Sequence, residues 1–209
     1  MRLQEKNIEQ ITLAWDAKAE KTKTFNVTAT KGKEFTIDWG DDTAIETITA
    51  KEYGQKIKHK YNEDGNYRVT ITAVIADCCF TVLSCYKKEI TALNLNECVS
   101  LEYLDCFSNQ LTNIDLSKNK SLKEIGLSSN KLHSLDISTN VDLRHLDCSF
   151  NELISLDVRN NTKLLYLKCY YNELCDLNIS SKQKLQLQYF DCRNNQLSEY
   201  GQNNNTELE

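Results

Sequence analysis

The pattern of hydrophobic and polar positions changes near residue 77 of the chain. Upstream of that point, apolar and polar residues alternate in short segments, which is typical of half-buried β-strands. Turn-forming clusters, GDD after Trp39 and NEDGN before Tyr67, separate such segments. The segments are ITLAW, FNVTA, FTIDW, IKHKY and YRVTITAV. Several short strands within about 70 residues predict a small antiparallel β-sandwich over residues 1–76.

Downstream of residue 77, the apolar positions recur with a period of 21 residues. Each complete line has the form L-x-x-L-x-(C/L)-x-x-N-x-L-x-x-(L/I)-(D/N)-(L/I/V). Self-similarity of this kind is the sequence signature of a solenoid, in which each unit buries its apolar face against the next. We divide the predicted solenoid, 77–209, into a capping coil at 80–100 and five lines at 101–121, 122–142, 143–163, 164–186 (two residues longer) and 187–209 (partial).

Alternation within each line predicts a short strand with one buried face. In YLDCF, Leu104 and Cys106 point one way, while Tyr103, Asp105 and Phe107 point the other. Stacked lines form a parallel sheet, and a second apolar cluster in each line closes the opposite wall. A line of 21 residues leaves hardly any room for a helix between the walls. The predicted fold is therefore mainly β: an antiparallel sandwich followed by a solenoid with a parallel sheet and little helix.

One column of asparagines accompanies the repeats. The chain has no proline and only six glycines, so other residues must build the turns of the repeats. Inside such a turn, a side-chain amide can hydrogen-bond backbone groups of its own coil and of the neighbouring coil. We therefore assign a structural role to the column formed by Asn109, Asn130, Asn151, Asn172 and Asn195.

The repeat pattern resembles that of leucine-rich repeat proteins of bacterial cell surfaces, in a short, internalin-like form with Cys at the third apolar slot. The segments DWGDDT and HKYNEDGNYRVTI resemble the PKD-like branch of immunoglobulin-like domains, although Asp42 stands where that branch usually has a glycine. The positions that fit are Trp39, Gly40, Asp41, His59, Tyr61, Gly65, Tyr67 and Val69. These resemblances imply an extracellular or cell-surface protein whose first domain serves as a spacer or an adhesive module.

The composition and charge of the chain argue against nucleic-acid binding and against a membrane-spanning segment. Apolar residues make up 40% of the 209 positions and charged residues 26%, as in ordinary globular proteins, and the net charge is −5. Neither part carries the basic excess that nucleic-acid binding requires. No apolar run approaches the roughly 20 residues of a membrane span. The start, MRLQEKNIEQ, has no apolar segment typical of a signal peptide.

The nine cysteines follow the repeat rather than a disulfide framework. Five occupy one slot that Leu127 fills in another line, which favours reduced, buried core residues: Cys85, Cys106, Cys148, Cys169 and Cys192. A disulfide between Cys98 and either Cys78 or Cys79 remains an alternative at the junction. Cys175 aligns with Thr112, His133 and Ile154, a mixed position that allows either burial or exposure. No Cys-x-x-Cys pair is present, so we expect no zinc site.

Three groups of residues could form a catalytic or metal site, but the sequence gives each of them little support. His145 and Cys148 are three residues apart on a strand, so their side chains leave opposite faces and cannot form a nucleophile–base pair. Asp105 and Asp147 are two repeats, about 10 Å, apart on an open face. Asp38, with its neighbours at 41 and 42, offers calcium ligands, but Asp is also a common turn residue. We therefore expect no enzyme activity, no metal and no cofactor.

The outward side of the repeat sheet collects aromatic residues, which are enriched where proteins bind partners. We predict a ligand-binding face for a protein or a carbohydrate, with Gly126 leaving a shallow dip. Its candidate residues are Tyr86, Tyr103, Phe107, His145, Phe150, Tyr166, Tyr170, Tyr171 and Tyr189. The alternatives are cross-strand stacking without a ligand, and a self-assembling module that associates end to end where Gln202 replaces an apolar residue.

Overall fold

The computed structural model describes residues 7–184 and 186–197, so the predictions for residues 1–6 and 198–209, including Gln202, lie outside it. The described chain is mainly β. Its elements are β1 (Gln10–Ala17), β2 (Thr22–Ala29), β3 (Glu34–Asp38), β4 (Glu46–Thr49), β5 (Gln55–Lys60), β6 (Gly65–Ala73), β7 (Phe80–Ser84), β8 (Ile90–Asn94), β9 (Tyr103–Asp105), β10 (Glu124–Gly126), β11 (His145–Asp147), β12 (Ser155–Asp157), β13 (Tyr166–Lys168), β14 (Asp176–Asn178), α1 (Ser181–Lys184) and β15 (Tyr189–Asp191).

Two large sheets organise these strands. The five-stranded sheet is antiparallel and has the order β4-β3-β6-β1-β8. The eight-stranded sheet has the order β15-β13-β11-β10-β9-β7-β2-β5. Its strands from β7 to β15 are parallel, whereas β7, β2 and β5 are antiparallel. The repeats therefore form the predicted parallel sheet, and that sheet continues onto strands from the first part of the chain.

The first part buries the alternating residues that the sequence marks as apolar. Trp15, Phe25 and Trp39 are at most 1% exposed and lie in a chain of tilted rings with centroids 6.2 and 6.0 Å apart. The Trp15 indole N–H donates to the Tyr61 hydroxyl at 3.1 Å, and that hydroxyl lies 3.2 Å from the Trp39 carbonyl oxygen, to which it donates. Burial of large aromatics supplies the main stabilisation of such a core. The assignment of residues 1–76 to the immunoglobulin-like or PKD-like domains stays a prediction.

The repeats bury two columns of side chains. Leu83, Leu104, Ile125, Leu146 and Leu167 are register partners on successive parallel strands and are at most 2% exposed. Burial of each such side chain contributes about 1.5–3 kcal/mol. The next inward slot is the predicted cysteine slot, and its buried members are Cys85, Cys106, Leu127, Cys148 and Cys169.

The predicted asparagine column is confirmed as a hydrogen-bonded ladder. Asn151 is typical: its Oδ1 accepts from the Leu132 N–H at 3.0 Å. Its Nδ2 donates to the carbonyl oxygens of Leu127 at 2.9 Å and Cys148 at 3.1 Å. One side chain thus satisfies backbone groups of its own coil and of the preceding one. The same pattern is made by Asn109, Asn130, Asn172 and Asn195.

A second amide ladder, for which the repeat pattern predicts no role, runs along the turn that closes each coil. Asn140 Nδ2 donates to the carbonyl oxygens of Leu116 at 3.2 Å and Asn119 at 2.8 Å. Asn119 and Asn161 make the equivalent bonds. In the longer line, α1 places Gln183 in this position, where its amide donates to the Asn161 carbonyl oxygen at 3.1 Å.

A buried carboxylate joins the two parts of the chain. Glu9 is 3% exposed, and its two oxygens accept from the backbone N–H groups of Phe80 at 2.7 Å and Ser100 at 2.8 Å. In addition, β1 pairs with β8 from the capping coil, and β2 pairs with β7. Both sheets therefore extend across residue 77, and the division into domains at that residue stays a prediction.

Replacement of Asn151 by alanine tests the first ladder. The Asn151→Ala variant should lose about 3 kcal/mol of unfolding free energy, because the buried Leu132 N–H loses its acceptor and the carbonyl oxygens of Leu127 and Cys148 each lose one of two amide donors. Urea denaturation followed by circular dichroism measures this loss. Asn160, an exposed residue whose side chain makes one long bond of 3.4 Å to the Ser138 carbonyl oxygen, provides the control. Equal losses in Asn160→Ala and Asn151→Ala would contradict the role of the ladder.

Candidate ligand-binding face

Three rows of side chains cover the outward side of the eight-stranded sheet. In the first row, Tyr103, Glu124, His145, Tyr166 and Tyr189 are direct register partners on successive parallel strands. The second row, on the same side, continues with Ser84, Asp105, Gly126, Asp147, Lys168 and Asp191. The third row follows the strands and contains Tyr86, Phe107, Ser128, Ser149, Tyr170 and Arg193.

The predicted aromatic residues form three clusters on this side, which we call the aromatic face. The first pairs His145 with Tyr166, stacked with ring centroids 4.6 Å apart and 19° between planes. The second pairs Tyr86 with Phe107, stacked at 5.1 Å and 9°. Tyr103 and Tyr189 lie in the first row and stack on no other aromatic ring among the described residues, although Lys168 Nζ lies 5.6 Å from the Tyr189 ring centroid.

The third cluster brings together Phe150, Tyr170 and Tyr171. Phe150 stacks on Tyr171 at 4.8 Å and 10°, and Tyr170 meets Phe150 edge-on at 5.3 Å. Phe150 is 45% and Tyr171 is 51% exposed, so both rings keep a large surface open to solvent. Stacking of this kind stabilises a sheet by itself, and it also forms a rigid platform for a partner.

The backbone beneath the third cluster is strained. Phe150 and Tyr171 both have φ of 52°, in the left-handed region, where non-glycine residues lose about 1–2 kcal/mol. The equivalent residues of the other coils are also left-handed: Lys87, Ser108, Ser129 and Asn194. The fold therefore demands this conformation at one position in every coil, but bulky aromatics are unusual there. The sequence carries hardly any signal of it, because only Asn194 is a residue type that favours the region.

The predicted dip at Gly126 is present as a depression of about 230 Å³. Tyr103 and Tyr166 stand at its sides, and Asp105 and Asp147 border Gly126 within the second row. A Cβ atom at Gly126 would lie 3.3 Å from Asp105 Oδ1, so any side chain there would fill the floor of the depression. Its volume is below the roughly 300–1,000 Å³ of small-molecule pockets, which suits a single ring or side chain of a larger ligand.

The charges around the depression are mixed. Burial raises the pKa of the Asp105 carboxyl, and the nearby Asp147 carboxylate raises it further. Lys168, the register partner of Asp147 on β13, has its Nζ 4.0 Å from Asp147 Oδ2. His145 Nδ1 is 3.7 Å from Glu124 Oε1, and this buried nitrogen has no hydrogen-bond partner among the described residues. A ligand would therefore meet both donors and acceptors between the aromatic rings.

Four of the five slot cysteines are buried as predicted, whereas Cys192, in the partial fifth line, is only half-buried. Cys148 is fully buried, and burial raises the pKa of its thiol, which disfavours a reactive thiolate. His145 lies on the opposite, outward side of the sheet, so the two cannot act together. Cys78, Cys79 and Cys98, which could have formed a junction disulfide, are free thiols, and Cys175 is exposed. The Sγ atoms of Cys85 and Cys106 approach to 2.8 Å.

The loop after Trp39 uses its carboxylates internally. Asp41 Oδ1 accepts from the Thr43 hydroxyl at 2.6 Å, and its Oδ2 lies 2.7 Å from His59 Nε2. Asp38 Oδ1 accepts from the Gly40 N–H at 2.9 Å. Within residues 7–184 and 186–197, no group of three or more His, Cys, Asp or Glu side chains could hold a metal ion. In the same ranges, no helix is both long and apolar enough to span a membrane.

Comparison with known proteins gives a partial likeness. The chain is similar to a solved structure described as "Functional domain of InlJ from Listeria monocytogenes includes a cysteine ladder". The identity is 31%, the match covers 61% of this chain and 33% of that one, and the TM-score is 0.48. The chain thus spans about a third of the length of that structure. No protein-family model matches the chain, and no curated protein matches it.

Two substitutions at Cys148 test whether its slot is an apolar core position. Cys148→Ala should lower the unfolding free energy by only about 1 kcal/mol, because a small apolar side chain replaces another. Cys148→Asp should lower it by about 3 kcal/mol or more, because it places an unpaired charge in the stack. Chemical denaturation measures both. A Cys148→Ala variant that kept its fold but lost ligand binding would show that the thiol has a functional role.

The raised pKa of Asp105 predicts a pH-dependent effect of Asp105→Asn. A folded-state pKa above the unfolded value means that wild-type stability falls as pH rises through the folded pKa, because the ionised carboxyl is poorly solvated. Asp105→Asn should therefore be more stable than the wild type at pH 7, by about 0.5 kcal/mol after solvent screening. The difference should vanish near pH 3, below the unfolded pKa of about 4.

Asp115→Asn is the control of opposite sign for this measurement. The Ser117 backbone N–H donates to Asp115 Oδ1 at 2.9 Å and lowers the pKa of that carboxyl. The variant should therefore be less stable than the wild type at pH 7, and the difference should shrink as pH falls. Denaturant midpoints at several pH values measure both variants, and an Asp105→Asn effect that is independent of pH would refute the prediction.

Proposed function

We propose that this chain is a non-enzymatic binding protein of the internalin-like type, which presents the aromatic face to a protein or glycan ligand at the bacterial surface. The observation that carries this proposal is the third aromatic cluster. Phe150 and Tyr171 hold half-exposed rings on a backbone conformation that opposes bulky side chains. Strain of this kind persists where the surrounding structure over-determines it, and it is concentrated at functional sites.

The geometry around the depression supports the same proposal. Stacked rings provide flat, rigid apolar surface, and Tyr is the residue type most often found at binding hot spots together with Trp and Arg. Asp105, Asp147 and Lys168 lie between the aromatic clusters and offer hydrogen bonds that orient a ligand. The first part of the chain would then act as the PKD-like spacer that holds the repeats away from the cell.

The alternative is a self-assembling module. β15 is the last strand in the order of the eight-stranded sheet, so one of its edges has no strand partner among the described residues. Such an edge pairs readily with another chain. Light scattering over a concentration series separates the two proposals, because a strict monomer contradicts assembly, whereas growth of the particles with concentration supports it.

Removal of the third cluster tests the binding proposal. The double variant Tyr170→Ala, Tyr171→Ala should keep the melting temperature within a few degrees, because both rings pack on the outside of the sheet. Retention on an array of glycans and host proteins should fall to background, since truncation of a hot-spot aromatic costs about 2 kcal/mol or more.

Tyr53→Ala is the matched control, because Tyr53 is 93% exposed and far from the repeats in sequence. It should leave both melting and retention unchanged. A wild-type chain that binds nothing on broad arrays, or a double variant that binds as well as the wild type, would contradict the proposal.

A further inference from the structure

The outward side of the eight-stranded sheet does not end at the repeats. In the second row, Ser84 is the register partner of Asn26 on β2, and Asn26 is the partner of Lys56 on β5. Thr24 is likewise the partner of Lys58. Cross-strand partners point to the same side of a sheet, so these residues continue the outward side beyond the aromatic face.

Lysines concentrate at this end of the sheet. Lys56 and Lys58 are exposed, while the residue between them, Ile57, is buried. Lys87 and Lys88 follow β7, and their ammonium groups lie 5.3 Å from the Phe107 ring centroid and 5.8 Å from that of Tyr86. We call Lys56, Lys58, Lys87 and Lys88 the lysine end.

The charges of the lysine end are not neutralised within the described chain. Its four ammonium groups have no carboxylate within ion-pair distance there, whereas the nearby Lys23 pairs with Glu89 at 2.8 Å and Lys60 pairs with Glu20. Burial lowers the pKa of Lys88, and the positive charges of Lys56 and Lys23 lower it further. Four uncompensated charges at one place are unexpected in a chain of net charge −5, and an anion bound there would relieve their repulsion.

The surroundings of the lysines favour one kind of anion. Between them the sheet presents the hydroxyl and amide groups of Thr24, Asn26 and Ser84, which are donors and acceptors suited to a polyhydroxylated ligand. Lys56 and Lys58 are two residues apart on a strand, about 6.8 Å, so they meet recurring charges on an extended chain. The aromatic rings of the stacked Tyr86–Phe107 pair hold the other two ammonium groups in place.

An acidic peptide fits the lysine end less well. A peptide would bind most readily by adding a strand to β5, the edge strand of the sheet. Lysines along an edge strand are the residues by which proteins oppose such pairing. We propose that the lysine end binds a sulfated linear polysaccharide. This site is separate from the depression at Gly126 and from the third aromatic cluster, and it shares with the aromatic face only the stacked Tyr86–Phe107 pair.

Binding to heparin, a sulfated linear polysaccharide, tests the proposal. The wild-type chain should bind immobilised heparin, and its affinity should fall steeply with added salt because the contacts are between exposed charges. The Lys56→Ala, Lys58→Ala variant should bind about ten-fold more weakly and elute at lower salt. Both lysines are exposed, so the variant should melt like the wild type.

The matched control removes the same charge elsewhere. Lys120 and Lys131 are exposed and have no ion-pair partner among the described residues, so Lys120→Ala, Lys131→Ala should bind heparin like the wild type. A control that loses as much affinity as the test variant would show that only net charge matters, and it would overturn the proposal. A wild-type chain that heparin does not retain would also overturn it.

Two further measurements identify the ligand class and separate this site from the third aromatic cluster. Chemically desulfated heparin should bind at least ten-fold more weakly than heparin, and polyglutamate that binds as tightly as heparin would point to acidic peptides and overturn the proposal. The Tyr170→Ala, Tyr171→Ala variant should keep full heparin affinity. Loss of heparin binding in that variant would mean that no separate lysine site exists.

Discussion

The repeat part depends above all on side-chain amides that hydrogen-bond the backbone of neighbouring coils. Its strands are only three residues long from β9 onward, so strand pairing satisfies few of the backbone groups in each coil. The turns contain no proline and almost no glycine. The first ladder hydrogen-bonds to backbone groups inside one turn of each coil, and the second ladder does so in the other turn. The first ladder consists of Asn109, Asn130, Asn151, Asn172 and Asn195. Buried backbone groups without such partners would be costly, so the apolar columns can pack only because the amides are there.

Because the apolar columns and the amide ladders stabilise the repeats, the outward side of the sheet can vary in sequence without loss of the fold. Packing determines which residue types can occupy the inward positions of each strand, and the amide hydrogen bonds determine those of the turns. The outward strand positions, such as Tyr103, Glu124 and His145, alternate with the inward ones and contact solvent. A ligand-binding face can therefore vary from coil to coil without changing the core. The left-handed position at the end of each strand is the exception, because the fold dictates its backbone but not its side chain. Phe150 and Tyr171 are placed there against the conformational preference of their residue type.

The periodic features of the fold were predictable from the sequence, and the features that depend on contact between distant segments were not. The 21-residue period located the parallel strands, the buried cysteine slot and the dip at Gly126, because each follows from alternation within a line. The second ladder is not predictable in this way, because Gln183 and Cys98 interrupt the column of Asn119, Asn140 and Asn161 and hide their shared role. The pairing of β2 with β7 is not predictable either, because no local pattern specifies which edge of the repeat sheet receives an antiparallel strand.

The longer fourth line has a consequence for how such an array changes by insertion and deletion. Its two extra residues lie where α1 forms, and α1 still delivers the Gln183 amide to the carbonyl oxygen of Asn161. Tyr166 nevertheless keeps its register with His145 on one side and Tyr189 on the other. Length changes are thus absorbed at the wall away from the aromatic face, provided that one amide reaches the same carbonyl. The array can therefore gain or lose residues during evolution while the side chains of the aromatic face keep their register.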